Sequence, residues 1–151
     1  MVTFAVEEWN DVSPEMAPLW ESHWKEVARD HDHIPLDPDL NLYAYLASVG
    51  QLHVMVARDK GKVVGYHISI VKPHLHYKSS LHAQTDVYYI DPEHRKGMTG
   101  VRLFKEVEKS LAARGVKKMI TGTKLSLDMG KIFERLGWHE TERTYTKCIG
   151  A

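Results

Sequence analysis

A single α/β domain is the fold class this sequence predicts, on three observations. At 151 residues the chain is long enough to bury one continuous core without disulfides or a structural metal. Apolar runs of strand period alternate along it with stretches of helical period. One strand also passes through a glycine-containing loop straight into a helix, as α/β folds do. The elements follow in the order β-α-α-β-β-β-α-β-α-β, with no internal repeat and no linker long enough to separate domains.

Residues 2 to 9 set Val2, Phe4 and Val6 against Thr3, Ala5 and Glu7, a strand alternation broken by Asn10 and Asp11. Ser13-Pro14-Glu15 predicts a helix start, with a hydroxyl cap, a proline at the first helical position and an acid facing the positive end of the dipole. Met16, Leu19, Trp20, Trp24 and Val27 then recur on one face. Residues 30 to 39 read as a loop, and Asp37-Pro38-Asp39 opens a second helix that stops at Gly50.

Residues 52 to 58 and 63 to 71 are apolar strands joined by Asp59-Lys60-Gly61-Lys62, a hairpin turn with glycine where positive φ is expected. The polar stretch 72 to 80 predicts a loop leading to a third strand at 81 to 90. After Asp91-Pro92 the period turns helical through Val101, Leu103, Phe104, Val107 and Leu111, with Gly115 as the C-cap. A short strand at 116 to 121, a helix at about 127 to 136 stopped by Gly137, and a last strand at 142 to 149 complete the chain.

Apolar residues make up 43% and charged residues 26%, the balance of a globular protein rather than a disordered one. No stretch approaches the roughly 20 apolar residues of a spanning helix. Met1-Val2-Thr3-Phe4 lacks the basic-then-apolar pattern of a secretory leader, so a cytoplasmic location is expected. A formal charge of zero with ten histidines counted neutral gives no global field that would draw the chain to nucleic acid. The single cysteine, Cys148, has no internal disulfide partner and reads as a bystander. His31-Asp32-His33 and His74-Leu75-His76 have metal-compatible spacing but no full ligand set, and no metal site is assigned.

The chemistry concentrates in Arg95-Lys96-Gly97-Met98-Thr99-Gly100, between the third strand and the helix that opens at Val101. A helix start offers unpaired N–H groups and the positive end of a dipole, which suits a pyrophosphate. Gly97 and Gly100 let the backbone approach closely, while Arg95, Lys96 and Arg102 add positive charge. By itself this is an anion site of unspecified ligand, and an ordinary strand-to-helix turn with exposed basic residues fits as well.

The surrounding residues give the loop a context. Ile90-Asp91-Pro92, Arg95, Gly100 and Leu103-Phe104 follow without a gap, and Lys131-Ile132-Phe133-Glu134-Arg135-Leu136-Gly137-Trp138 ends a later helix on a glycine and an aromatic. In order and spacing the chain resembles the GNAT superfamily of N-acetyltransferases over nearly its whole length. The usual glycine three residues after the arginine is Met98 here, with Gly97 one place earlier.

The resemblance implies a mixed central sheet of about six to seven strands with helices on both faces. It implies acetyl-coenzyme A as acyl donor, lying where two parallel strands splay apart, here 81 to 90 and 116 to 121. The main chains of Tyr88, Tyr89 and Ile90 would line its pantetheine arm, and the loop through Val101 and Arg102 its phosphates. Ser126 stands where an asparagine often contacts the cofactor, and Lys131 is a further candidate for the phosphates. Phe133 occupies a position where many members carry a tyrosine that protonates the departing thiolate, which phenylalanine cannot do.

The acceptor would be an amine, on a small molecule or a protein, that attacks the thioester once a base has removed its proton. Asp86 and His82 are the candidate bases, sharing a strand face with Gln84 and Tyr88 by period-two alternation unless a bulge shifts the register. Tyr145 on the expected last strand is the candidate replacement proton donor. Cys148 as a covalent acetyl carrier is disfavoured, since the family transfers directly. The loops 30 to 39 and 72 to 80, with Tyr43 and Tyr45, would select the acceptor.

Phe133 keeps a second reading open, a non-catalytic module that retains the fold and the acetyl-coenzyme A site. A third, with a nucleotide acceptor, would need a local basic patch to which Lys117, Lys118, Lys124 and Lys131 could contribute. A homodimer stays open.

Overall fold

The structure is a computed structural model that describes residues 1–30 and 32–150. One mixed sheet of five strands, in the spatial order β1-β2-β3-β4-β5, runs through the centre. Its strands are β1 Val2–Val6, β2 Leu52–Asp59, β3 Lys62–His74, β4 Tyr77–Ile90 and β5 Lys118–Ile120. The first four pair antiparallel and β5 joins β4 in parallel. Helices α1 (Trp9–Val27) and α2 (Leu40–Ser48) cover one face; α3 (Thr99–Ala113) and α4 (Gly130–Arg135) cover the other. Among the described residues, no helix is long and apolar enough to cross a membrane.

Local chemistry places several elements where the pattern predicts. Asp39 caps α2, its carboxylate accepting from the Leu42 amide at 2.9 Å. The β2–β3 turn holds Lys60 at φ 50° and Gly61 at φ 81°, the two left-handed residues that match the twist of a tight hairpin. On α3, Leu103, Phe104, Val107 and Leu111 are all buried, the apolar stripe that sits on Met55, Val71 and Ala83 of the sheet.

Four expectations are corrected. Helix α1 begins at Trp9 rather than beside Ser13, its cap Glu8 makes no side-chain cap bond, and Pro14 and Pro18 lie inside it. Each internal proline removes a helix bond at a cost of about 3 kcal/mol. The earlier start adds the burial of Trp9 and Val12 to that of Met16 against the sheet, roughly 1.5–3 kcal/mol per side chain, which offsets a cost of that size.

The polar stretch 72 to 80 is not a loop, because β3 runs to His74 and β4 starts at Tyr77, leaving a two-residue turn. This end of the hairpin extends beyond the helices, so neither face carries the apolar alternation that marks a half-buried strand. Rings hold it instead, with His82 5.1 Å from His74 and 5.9 Å from Tyr77.

No strand forms at 142 to 149, where Tyr145 and Ile149 are 88% and 90% exposed. Strand-forming residues need a partner edge and a surface to pack on, and β5 offers only three residues. The sheet therefore has five strands, not six to seven. His31, which belongs to one metal-compatible spacing, lies outside the described residues, and among the described ones no group of three or more metal-binding side chains gathers.

Two histidines are fully buried beneath α3. His53 Nε2 lies 2.8 Å from Ser110 Oγ, and His67 sits between Ser69 and Thr85 hydroxyls at 3.4 and 3.3 Å. Burial first, then the Arg114 charge, lowers the His53 pKa to about 4. Burial, then the charge of His53, lowers that of His67 to about 3. In the unfolded chain both titrate near 6.5, so unfolding takes up protons between that pH and the folded values. Stability is therefore full above pH 6.5 and falls as the pH drops, by up to about 1.4 kcal/mol per pH unit for each group; urea unfolding from pH 8 to 4 measures it.

Gly65 of β3 has a conformational reason of another kind. A Cβ there would lie 2.7 Å from the Tyr89 carbonyl oxygen and 3.1 Å from Ile90 Cγ1. Gly65→Ala is expected to destabilise the fold by about 1–3 kcal/mol in the same urea assay, since the obstacle is backbone.

Candidate active site

Strand β5 pairs with β4 over three positions only, from His82–Lys118 to Gln84–Ile120. Beyond Gln84, β4 continues to Ile90 while β5 has ended, so among the described residues the far edge of residues 85 to 90 has no neighbouring strand. The strand also bulges there: Val87 opposes Ile68 and Thr85 opposes Ser69, with Asp86 passed over. Such a bulge bends the strand and resets which side chains share a face.

That reset takes Tyr88 off the face predicted for His82, Gln84, Asp86 and Tyr88, and leaves Asp86 on it. Asp86 lies on the α2 side, where the Tyr43 hydroxyl donates to its Oδ2. Tyr88 faces α3, with its ring 5.2 Å from Phe104 and 6.1 Å from Phe133. His82 lies on the β5-paired stretch, Nε2 3.1 Å from Ser80 Oγ. Desolvation, then the nearby His74 and Lys118 charges, lowers its pKa. Asp86 is thus at the open edge and His82 is not.

The strand-to-helix loop lies at the end of this open stretch. Asp91 caps a 3-10 turn at Pro92–His94, Gly97 takes φ 72°, and Met98 precedes the first turn of α3. Among the described residues, the amides of Lys96 to Val101 have no acceptor; the first bonded one is Arg102, to the Met98 carbonyl. A Cβ at Gly97 would meet nothing within 4 Å, and one at Gly100 only Ile90 Cδ1 at 3.9 Å and Met129 Cε at 4.0 Å. The result is a row of free donors at a helix start, where the dipole adds about half a positive charge.

The basic residues divide their work in a way that spacing does not show. Arg95 forks onto Glu26 at 2.7 and 2.6 Å and donates through Nε to the Ile90 carbonyl at 2.7 Å, with its guanidinium over the Tyr89 ring. Its hydrogen bonds hold the Glu26 carboxyl below the usual range. Arg102 donates to the Val2 carbonyl at 3.1 Å and lies over Phe4. Lys96, Lys124 and Lys131, all exposed, have no ion pair among the described residues. Arg95 therefore builds the loop, while Lys96 remains free at its surface.

Tyr88 is a functional candidate that sequence reasoning placed by its main chain beside the pantetheine arm and by its side chain on the face of Asp86. Its phenol donates to the Gly122 carbonyl at 2.8 Å, spanning from β4 to the chain just past β5. Burial raises its pKa. Phe133 packs beside it, 4.9 Å from Phe104 and 5.7 Å from Trp138. Ser126 is exposed in the loop before α4, and Tyr145 lies on the exposed C-terminal segment. Tyr89 points the other way, stacked on His23 at 4.9 Å.

A family profile described as the acetyltransferase (GNAT) family matches residues 9–138. The sequence matches none of the curated proteins. Solved structures resemble it over its whole length: a ribosomal-protein-alanine N-acetyltransferase from Brucella melitensis biovar Abortus 2308 is 20% identical, with 99% of this chain and 100% of that one covered and a TM-score of 0.71. An aminoglycoside acetyltransferase from an uncultured soil metagenomic sample, solved with sisomicin, is 16% identical over 99% and 97% of the two chains, with a TM-score of 0.74. A glucosamine-6-phosphate N-acetyltransferase from Arabidopsis thaliana is 12% identical over 99% of each, also at 0.74. At these identities the likeness is one of fold.

Proposed function

The chain belongs to the acetyltransferase (GNAT) family, and from that premise we propose that it transfers the acetyl group of acetyl-coenzyme A directly to a primary amine on a small molecule. The observation that carries this reading is the free edge of β4 running into the unbonded amides at the start of α3. The residues present suit the acyl donor: the amides of Lys96 to Val101, the open space at Gly97 and the Lys96 ammonium match a pyrophosphate. The exposed main chain of Tyr88 to Ile90 matches a pantetheine amide. Bound there, the donor supplies a thioester carbonyl open to attack by an amine.

Asp86 stands on the open edge with one carboxylate oxygen accepting from Tyr43 and the other free to accept from an ammonium. It takes the amine's proton, directly or through water, and leaves the lone pair free to attack. Tyr88 packs its ring against Phe133 and supplies the proton that the departing thiolate needs. These two roles answer the absence of a tyrosine at 133.

Gly100→Glu places a negative side chain among the free amides without a steric clash in the fold. Calorimetric titration is expected to show acetyl-coenzyme A binding to the parent and none to this variant at equal stability; unchanged affinity in the variant would remove the loop from the reading. In a thiol-release assay, Asp86→Asn and Tyr88→Phe are each expected to lower kcat by about 100-fold or more while acetyl-coenzyme A affinity stays within a factor of a few. His82→Ala should cost less than Asp86→Asn. Normal turnover in both variants would leave the proton transfers to other groups.

A further inference from the structure

A second concavity lies on the opposite face of β4 from Tyr88, between the sheet, α1 and the loop before α2. Its volume is about 170 Å³ and it opens to solvent on one side. Its wall is almost wholly apolar and includes Trp9, Trp20, Trp24, Leu36, Tyr43 and Val87. Trp9 is itself stacked between Trp20, at 6.0 Å, and Tyr43, at 4.5 Å, so the aromatic wall is preformed. An apolar cavity of about 150 Å³ is enough to take up benzene. This one has room for a single ring.

Among the described residues, the charged groups around it are few and mostly committed. Asp86 adjoins the lining residue Val87 and is held by the hydroxyl of another, Tyr43. Glu26 is forked by Arg95, and Asp39 caps α2. His23, also in the lining, is 3.0 Å from the Tyr66 hydroxyl; burial lowers its pKa to about 4, with Arg95 and Lys124 adding to the effect against Glu26. It is therefore uncharged at neutral pH and repels no cation. Asp37 is exposed on the loop between Leu36 and Pro38. A ligand bearing many ammonium or hydroxyl groups would leave them unpaired against tryptophan, at a cost.

We propose that this cavity is the acceptor subsite and that it takes the ring of an arylalkyl monoamine, the amine reaching Asp86 at the open edge of β4. The inference rests on the acetyl-transfer reading above for its consequence, but not for its binding test. Aromatic walls select the flat apolar body by contact and by ring stacking. A single carboxylate beside Val87 selects one ammonium. The bulge brings Val87 onto the face that Asp86 already occupies, so the acidic group and the aromatic wall lie on the same side of the sheet.

Three tryptophans in the wall make binding visible directly. Intrinsic fluorescence of the protein, titrated with 2-phenylethylamine, ethylamine and spermidine, is expected to give about 10- to 100-fold tighter binding of the arylalkylamine. Leu36→Arg adds a charge to the wall from a 41% exposed loop position and should abolish that preference with acetyl-coenzyme A affinity unchanged. Equal or tighter binding of ethylamine or spermidine, or a preference that survives Leu36→Arg, would overturn the assignment. Preferential binding of 2-phenylethylamine without thiol release would uphold the subsite and refute the transfer reading instead.

Discussion

The parting of β4 and β5 after three residue pairs is the constraint on which the rest of the site depends. A parallel strand that continued would satisfy the edge of β4 and close the sheet. Because β5 stops at Ile120, residues 85 to 90 keep an edge with no strand beside it among the described residues, a feature that is normally covered or charged. The bulge at Asp86 lies on this stretch and bends it. The bond from Tyr88 to the Gly122 carbonyl bridges the mouth. A slot with backbone on one side and a helix start at its end follows from these few departures from a regular sheet.

Arg95 keeps that slot and the loop in register. Its five donors face the β4 terminus and α1 at once, through the Ile90 carbonyl and Glu26. The planar fork of arginine can do this where a lysine ammonium could not. The consequence for binding is a division between structure and ligand. Arg95 and Arg102 are tied to the protein, whereas the amides of Lys96 to Val101 and the Lys96 side chain have no partner among the described residues and are the groups our reading assigns to an anion. Backbone donors at a helix start are already oriented, so they lose little freedom when an anion arrives.

Aromatic rings fill both sides of β4, but to different effect. On the α3 side Tyr88, Phe104, Phe133 and Trp138 pack edge to face around one phenol. On the α1 side Trp9, Trp20 and Tyr43 stack and leave a cavity. Buried polar groups follow the same division: His53 and His67 lie beneath α3, bonded to hydroxyls, and His23 lines the opposite cavity. All three histidines are kept neutral by burial, so the interior carries little charge at neutral pH.

Local chemistry alone determined much of this protein. The Asp39 cap, the left-handed Gly61 turn, the apolar stripe of α3 and the glycine-bearing loop before it are all decided by residues a few positions apart, and each is legible in the sequence. The start of α1 was not, because Trp9 and Val12 are drawn into the helix by burial against a sheet that is distant in sequence. Nor was the outer end of the β3–β4 hairpin, whose strands lack a covered face, or the absence of a strand at 142 to 149, which needed an edge to pair with. At the site, the residue types of Asp86, Tyr88 and Arg95 could be read from the chain. Their surroundings depend on a bulge that moves Tyr88 to the other face, a phenol that reaches Gly122 and a glutamate 69 positions away, contacts that only the tertiary structure brings together.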